Sequence, residues 1–271
     1  MKVLFWNVNK NDCTSYICDL AMEMDLDVVI LCENREAQEG HTLRQLQSRV
    51  SKNFFEADQF SPSPRRFQVF GKDRRSGLQE KASFKRCNIH NFRGCSSGDI
   101  LVALVHGADP RNYDIQHRNG YFSQALNNIN SHLAAVDSQR LIVLGDFNLN
   151  PFDTGVAGVK GFNANMSKSC VRLKTRTFLD EKHDFYYNPM WSLLGDNSPG
   201  PPGTIYDTSS QGAYGWNMFD QVLIHHSLLN IFDGVKIVTQ TEKLNFQTSV
   251  GLPDGKISDH FPIIVTLKGF S

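Results

Sequence analysis

The sequence predicts an α/β protein in which two mixed β-sheets pack face to face with helices outside. Strongly apolar runs such as Val28-Val29-Ile30-Leu31, Leu101-Val102-Ala103-Leu104, Leu141-Ile142-Val143-Leu144 and Ile263-Ile264-Val265 read as strands buried on both faces. Helical and strand patterns alternate along the chain, yet residues 67–106 offer strands with no helical spacer, which suits two packed sheets better than a barrel. Short polar clusters sit at the ends of the apolar runs: Trp6-Asn7-Val8-Asn9, Cys32-Glu33-Asn34, Val105-His106, Gly145-Asp146-Phe147-Asn148, Phe219-Asp220-Gln221 and Ser258-Asp259-His260. In the first four the polar residue follows its run, whereas Asp220 and Asp259 precede theirs. All six ends can share one rim only if the last two strands run opposite to the others, which excludes a doubly wound parallel sheet.

Each element has its own signal. Residues 2–8 alternate towards a strand ending at Asn7. Over 12–25 the pattern is helical, with Asp12 or Thr14 as cap and Ile17, Leu20, Ala21 and Met24 on one face. A strand over 27–32 carries Glu33, and a helix over 41–51 turns Leu43, Leu46 and Val50 inward. Strands are expected near 67–72, 83–91 and 99–106. Phe122, Leu126, Ile129, Leu133 and Val136 recur at helical spacing and make 113–136 the longest helix, leading into a strand over 140–146. Pro199-Gly200-Pro201-Pro202-Gly203 marks a loop before a strand at 203–207. Further strands are expected near 217–225, 234–242 and 260–268, while 150–200 carries no clear pattern.

A chain of 271 residues with 40 % apolar composition can bury a full core. Because polar clusters from Asn7 to His260 feed one rim, residues 1–271 are expected to form a single domain. The formal net charge is +0, so no global field draws the chain to nucleic acid or an anionic membrane. Locally, residues 65–93 hold nine Lys/Arg against two acids. Interleaved with Phe67, Phe70 and Phe84, that stretch reads either as a surface for phosphates and bases or as a solvated edge hairpin. The six cysteines show neither zinc-ligand spacing nor a disulfide framework. With no signal-peptide pattern and no apolar run of spanning length, a cytoplasmic location and no membrane contact are expected.

The clusters have distinct chemistry. Carboxylates beside apolar strands carry a desolvation cost unless a metal or hydrogen bonds offset it. Glu33 is the leading metal-ligand candidate, and its oxygen and amide neighbours suit magnesium or manganese rather than zinc. Asn7 and Asn9, two apart, can ligate through amide oxygen or water. Asp146 and Asn148, also two apart, suit a proton acceptor beside a hydrogen-bond donor. Asp259 reads as a metal ligand, His260 as a phosphate contact or acid/base group, and Asp220 as the carboxylate that orients a histidine. His106 ends an apolar strand, where it can donate to a leaving oxygen. His225-His226 reads as a loop without function. Arg65, Arg66, Arg74 and Arg75, with Trp216 and Asn217, are the candidate substrate contacts, and Trp191, Tyr206 and Tyr214 are further candidates for stacking on bases.

In order and approximate spacing, Asn7-Val8-Asn9, Glu33, His106, Gly145-Asp146-Phe147-Asn148, Asp220 and Ser258-Asp259-His260-Phe261-Pro262-Ile263 resemble the endonuclease/exonuclease/phosphatase superfamily, which includes DNase I-like nucleases, over nearly the whole chain. The resemblance implies a four-layer α/β sandwich and hydrolysis of a phosphate ester with Mg2+ or Mn2+. It implies Glu33 as principal metal ligand, with Asn7 or Asn9 and Asp259 nearby. Asp146 would activate the attacking water, Asn148 would bind phosphate, and His260 would contact the scissile phosphate with support from Asp220. Two departures stand out: Asn9 is not followed by Gly-Leu-Arg, and Glu33 sits in Cys-Glu-Asn where many relatives have Gln-Glu. The expected activity is a nuclease acting on DNA or RNA. Its rivals are a phosphatase or phosphodiesterase on a small or lipid substrate, and a non-catalytic binding protein of the same fold.

Overall fold

Successive residues of the first strand serve two different cores. In β1 (Lys2–Asn7), Val3 and Phe5 join one apolar cluster, while Leu4 and Trp6 join another on the opposite face. This two-sided burial explains why the strands read as continuous apolar runs rather than alternating ones. The computed structural model describes residues 1–35, 39–58, 66–93, 98–196, 200–208 and 215–269.

In chain order, β1 is followed by α1 (Thr14–Glu23), β2 (Val28–Cys32), α2 (Glu39–Arg49), β3 (Phe55–Glu56), β4 (Phe67–Gly71), β5 (Gln79–Phe84), β6 (Cys87–Phe92) and β7 (Ile100–His106). Next come α3 (Ile115–Ala135), β8 (Leu141–Asp146), α4 (Thr154–Ala157), β9 (Ala164–Asn165), α5 (Lys168–Val171), β10 (Thr175–Phe178), β11 (Glu181–Asp184) and β12 (Tyr186–Tyr187). The chain closes with β13 (Ile205–Tyr206), β14 (Trp216–Asn217), β15 (Asp220–His225), β16 (Phe232–Ile237) and β17 (Ile263–Leu267).

One sheet has the order β16-β17-β1-β2-β4-β3 and the other β5-β6-β7-β8-β15-β12-β9, both mixed, with two-stranded ribbons β10-β11 and β13-β14 beside them. Phe5, Ile30, Val69, Leu104, Leu144, Val222 and Ile263 fill the space between the sheets. Ile17, Leu20 and Leu46 of α1 and α2 cover the outer face of the first sheet, where Leu4, Trp6, Val29 and Leu31 lie. Phe122, Ile129 and Leu133 of α3 cover Leu101, Ala103, Leu141 and Val143 on the outer face of the second. Three apolar interlayers therefore separate four layers, as the sequence predicts.

Several boundaries differ. The single strand expected over 83–91 is the hairpin β5-β6. Its loop, Lys85-Arg86, places Arg86 at a positive φ of 64° without the Gly or Asn that usually marks such a turn. The strand expected from 217 is split between β14 and β15, and β16 starts earlier and stops sooner than 234–242. The N-cap of α1 is Cys13, and the Asp12 carboxylate accepts the Thr14 amide at 3.1 Å. Val136 caps α3 at its C-terminal end and is exposed. Cys13, Cys18, Cys32, Cys87 and Cys170 are free thiols, and Cys95 lies outside the described residues. Among those residues no helix is long and apolar enough to cross a membrane.

Candidate active site

Strand direction assembles the rim. β1 runs parallel to β2 and antiparallel to β17, while β7 runs parallel to β8 and antiparallel to β15. The C-terminal ends of β1, β2, β7 and β8 thus meet the N-terminal end of β15 and the segment leading into β17. In register, Asp146 lies beside His106 on one side and Asp220 on the other. Gly145 permits this closeness, because a Cβ there would sit 1.9 Å from the Val105 carbonyl oxygen.

Asp146 is the hub. Its Oδ2 accepts the Asn7 side-chain amide at 3.0 Å, which ties the two sheets together, and its Oδ1 accepts the Asn148 backbone amide at 2.9 Å. Asn148 occupies the left-handed region at φ 50°, which turns its side-chain amide back to within 3.4 Å of Asp146 Oδ2. Burial holds the Asp146 carboxyl above the usual carboxylate range; Asp220 adds to the rise and His260 opposes it.

His106 bridges to the first sheet. Its Nε2 lies 3.3 Å from Glu33 Oε1 and 3.8 Å from Asp146 Oδ2. Its Nδ1 faces two donors, Arg66 Nη1 at 3.2 Å and Cys32 Sγ at 3.4 Å. An Nδ1 that accepts leaves the proton on Nε2, so the imidazole donates towards Glu33. Burial pulls its pKa down to about 4, against the opposing field of Asp146 and with help from Arg66 and Arg86. The ring is therefore a neutral donor at pH 7. Glu33 itself has a φ of 55°, an uncommon conformation for a residue with a side chain.

His260 behaves in the opposite way. Its Nδ1 pairs with Asp220 Oδ2 at 2.8 Å. Burial alone would lower its pKa, but the contact and charge of Asp220, with Asp146 and Asp259 behind it, raise it to about 10. Its position is fixed by the Trp6 indole, which donates to the His260 carbonyl at 2.9 Å, and by Ser258, whose hydroxyl accepts the His260 amide and donates to the Asn7 carbonyl. Asp259 Oδ1 lies 4.0 Å from His260 Nε2.

The donor set suits a hard divalent cation. Glu33, Asp146 and Asp259 offer carboxylate oxygen, and Asn7 keeps a lone pair after accepting the Asn9 amide. Asp259 Oδ1 and Asp220 Oδ1 are buried without a hydrogen-bond partner. Among the described residues, no three His, Cys, Asp or Glu ligand atoms gather within 4.8 Å at this rim. Such spacing matches an ion that keeps several waters and takes one or two carboxylates.

Other predicted residues are dispersed. Asn9 lies past the end of β1 in a left-handed turn and is exposed, so it does not share the strand face of Asn7. Arg65 and Tyr214 lie outside the described residues. Arg66 is at the rim, but Arg74 and Arg75 are not. They follow Gly71, at the end of β4 remote from the rim, where Arg74 stacks over Phe55 and Arg75 pairs with Asp73. The reason is topological: each strand of the basic segment carries the next cations to the other end of the sandwich. Arg86, in the β5-β6 loop, returns to the rim and donates to the Gly107 carbonyl at 2.8 Å.

Trp216 is half-buried, stacked on Phe261 and edge-on to Tyr206. Trp191 meets Phe152 at 6.3 Å. Asn217 is buried and accepts the Asn150 side-chain amide at 2.8 Å, while Asn150 Oδ1 accepts the Met218 amide. Asn217 thus holds the loop after Asp146 in place rather than facing solvent. Sequence reasoning missed Asn150, Arg86 and Arg118, which donates to the Asn148 carbonyl. The Asn at two-residue spacing after Asn148 was the available signal for Asn150.

The layered sandwich is the DNase I-like fold of the endonuclease/exonuclease/phosphatase proteins. The chain is similar to TDP2 from D. rerio in complex with a single-strand DNA product, with TM-score 0.55 and 18% identity over 99% of this chain and 98% of that one. An endonuclease/exonuclease/phosphatase family protein from Bacteroides thetaiotaomicron aligns with TM-score 0.58 and 12% identity over 98% and 97%. The 3' phosphatase NExo from Neisseria, bound to a product DNA hairpin, aligns with TM-score 0.55 and 15% identity over 99% of each chain. No protein-family model and no curated protein sequence matches the chain.

Proposed function

We propose that this protein is a divalent-metal-dependent phosphoesterase, and specifically a nuclease that hydrolyses phosphodiester bonds in DNA or RNA, acting as a single cytoplasmic domain. The observation that carries the reading is the convergence of Asn7, Glu33, His106, Asp146 with Asn148, and the Asp220–His260 pair on one rim from six separate strand ends. The DNA products held by the D. rerio and Neisseria proteins support nucleic acid as the substrate class.

Glu33 and Asp259, with the Asn7 amide, would hold Mg2+ or Mn2+, which when bound neutralises charge on non-bridging phosphate oxygens. Asp146, kept basic by burial, takes a proton from the attacking water. As that water bonds to phosphorus, the ester P–O bond breaks, and the leaving oxygen takes its proton from solvent. His260, held protonated by Asp220, presents Nε2–H to the phosphate, and Asn148 donates from its side-chain amide. His106 is better read as a group that orients Glu33 than as the proton donor to the leaving oxygen.

A smaller phosphate ester is the second reading, favoured by the remoteness of Arg74 and Arg75 from the rim. A panel of single- and double-stranded DNA, RNA and phosphomonoesters, incubated with magnesium or manganese and with Glu33→Ala as control, separates the two. Turnover of polynucleotides supports the nuclease, and turnover of monoesters alone overturns it. No turnover of any substrate favours the non-catalytic binding protein.

A further inference from the structure

Opposite the rim, the far end of β15 carries a second cluster of ligating groups. β12 pairs with β15 so that Tyr186 lies beside His225, and the His226 amide donates to the Phe185 carbonyl at 3.2 Å. These backbone contacts bring Asp184, the last residue of β11, against two adjacent histidines. His225 Nε2 lies 3.5 Å from Asp184 Oδ2, and His226 Nε2 lies 3.6 Å from Asp184 Oδ1. The two imidazole centroids are 4.0 Å apart. A tetrahedral zinc site with bonds of about 2.0–2.1 Å has ligand–ligand edges of about 3.3–3.4 Å, close to these separations.

The surroundings of His225 orient its ring towards Asp184. The Gln139 carbonyl can only accept, so at 2.9 Å it takes the Ser227 hydroxyl proton. On its other side His225 Nδ1 lies 2.9 Å from Ser227 Oγ and accepts the Ser227 backbone amide at 3.4 Å. These contacts aim the buried Nε2 at Asp184 Oδ2, where a metal ion could be held between nitrogen and oxygen. A partner on the ring nitrogen turned away from the ion, which sets the ring's orientation, is the usual support of a metal-bound histidine.

We propose that Asp184, His225 and His226 bind a zinc-class divalent cation through one carboxylate and two imidazole nitrogens, with water completing the shell. Imidazole nitrogens select such an ion over magnesium. The bound ion would pin the largely exposed β10-β11 ribbon to the second sheet. The five residue steps of β15 put this cluster about 17 Å from the rim, so the proposal is independent of the phosphoesterase reading.

The test is calorimetric titration of the full chain, stripped with a chelator, with Zn2+ in excess Mg2+. The expected result is one zinc per chain, bound at least about tenfold more weakly by Asp184→Asn and by His226→Ala. Zinc should raise the wild-type Tm by roughly 5 °C at about a hundredfold excess over Kd, and should not raise that of either variant. Both substitutions are at partly exposed positions, and unchanged circular dichroism checks the fold of each. Glu33→Ala should bind zinc normally. Absence of binding to wild type, binding by either variant as tight as wild type, or loss of binding in Glu33→Ala would each overturn the proposal.

Discussion

β15 begins at Asp220 and ends at His225, and its two ends present opposite chemistry. At its first residue a buried carboxylate holds one histidine protonated, among oxygen and amide donors from strands far apart in sequence. At its last residue two histidines share a partly exposed carboxylate, and all the donors come from two neighbouring segments. The first end favours phosphate and a hard, hydrated cation, and the second a cation that bonds to nitrogen. One strand can serve both because the sheet fixes its ends about 17 Å apart and buries everything between them.

Substitutions at the rim should break the first end without touching the second. Asp146→Asn removes the proposed proton acceptor and should cut kcat by about 10³–10⁴-fold in steady-state hydrolysis, with zinc titration unchanged. Asp220→Asn leaves His260 without its charged partner and should cost about 10²-fold; a near-normal rate would remove that pair from the mechanism. Arg66→Ala and Arg86→Ala should each weaken polynucleotide binding and lower the slope of log K against log salt by about 1 per lost phosphate contact. Arg74→Ala and Arg75→Ala should leave that slope alone. A loss in the second pair equal to the first would instead route the substrate along the far end.

The smallest effect concerns the layer between the two ends. His90 on β6 is buried with both ring nitrogens unpartnered, and burial pulls its pKa down to about 3. The unfolded chain takes up this proton below the ordinary histidine value of about 6.5, whereas the folded chain stays neutral until about 3. Stability therefore falls as the pH drops through that window, by about 2 kcal/mol at pH 5. His90→Leu should raise stability in urea unfolding, and raise it more at pH 5 than at pH 7.5. An equal gain at both would remove the protonation cost.

The rim was legible because desolvation forces a pattern: an apolar run that ends in an acid or amide has few explanations, and run direction supplies the topology. Asp220 and Asp259, placed before their strands, gave the antiparallel partners that the structure contains. The β5-β6 turn was not legible, since Lys85-Arg86 carries no turn residue. Nor was the dispersal of the arginines, because strand reversal is invisible in a count of charges. His225-His226 looked like a loop because its third partner, Asp184, arrives through the two-residue pairing of β12, too short to leave a periodic signal. Asn9 does not share the face of Asn7 for a local reason: β1 ends at Asn7, so two-residue spacing no longer means one face.

The most direct measurement is cleavage of a single-stranded DNA substrate by wild type and Glu33→Ala, in Mg2+ and after chelation with EDTA. Hydrolysis by wild type in Mg2+, lost on chelation and lost in the variant, is the predicted result. Hydrolysis that survives EDTA, or a Glu33→Ala protein as fast as wild type, would contradict a cation held at the rim.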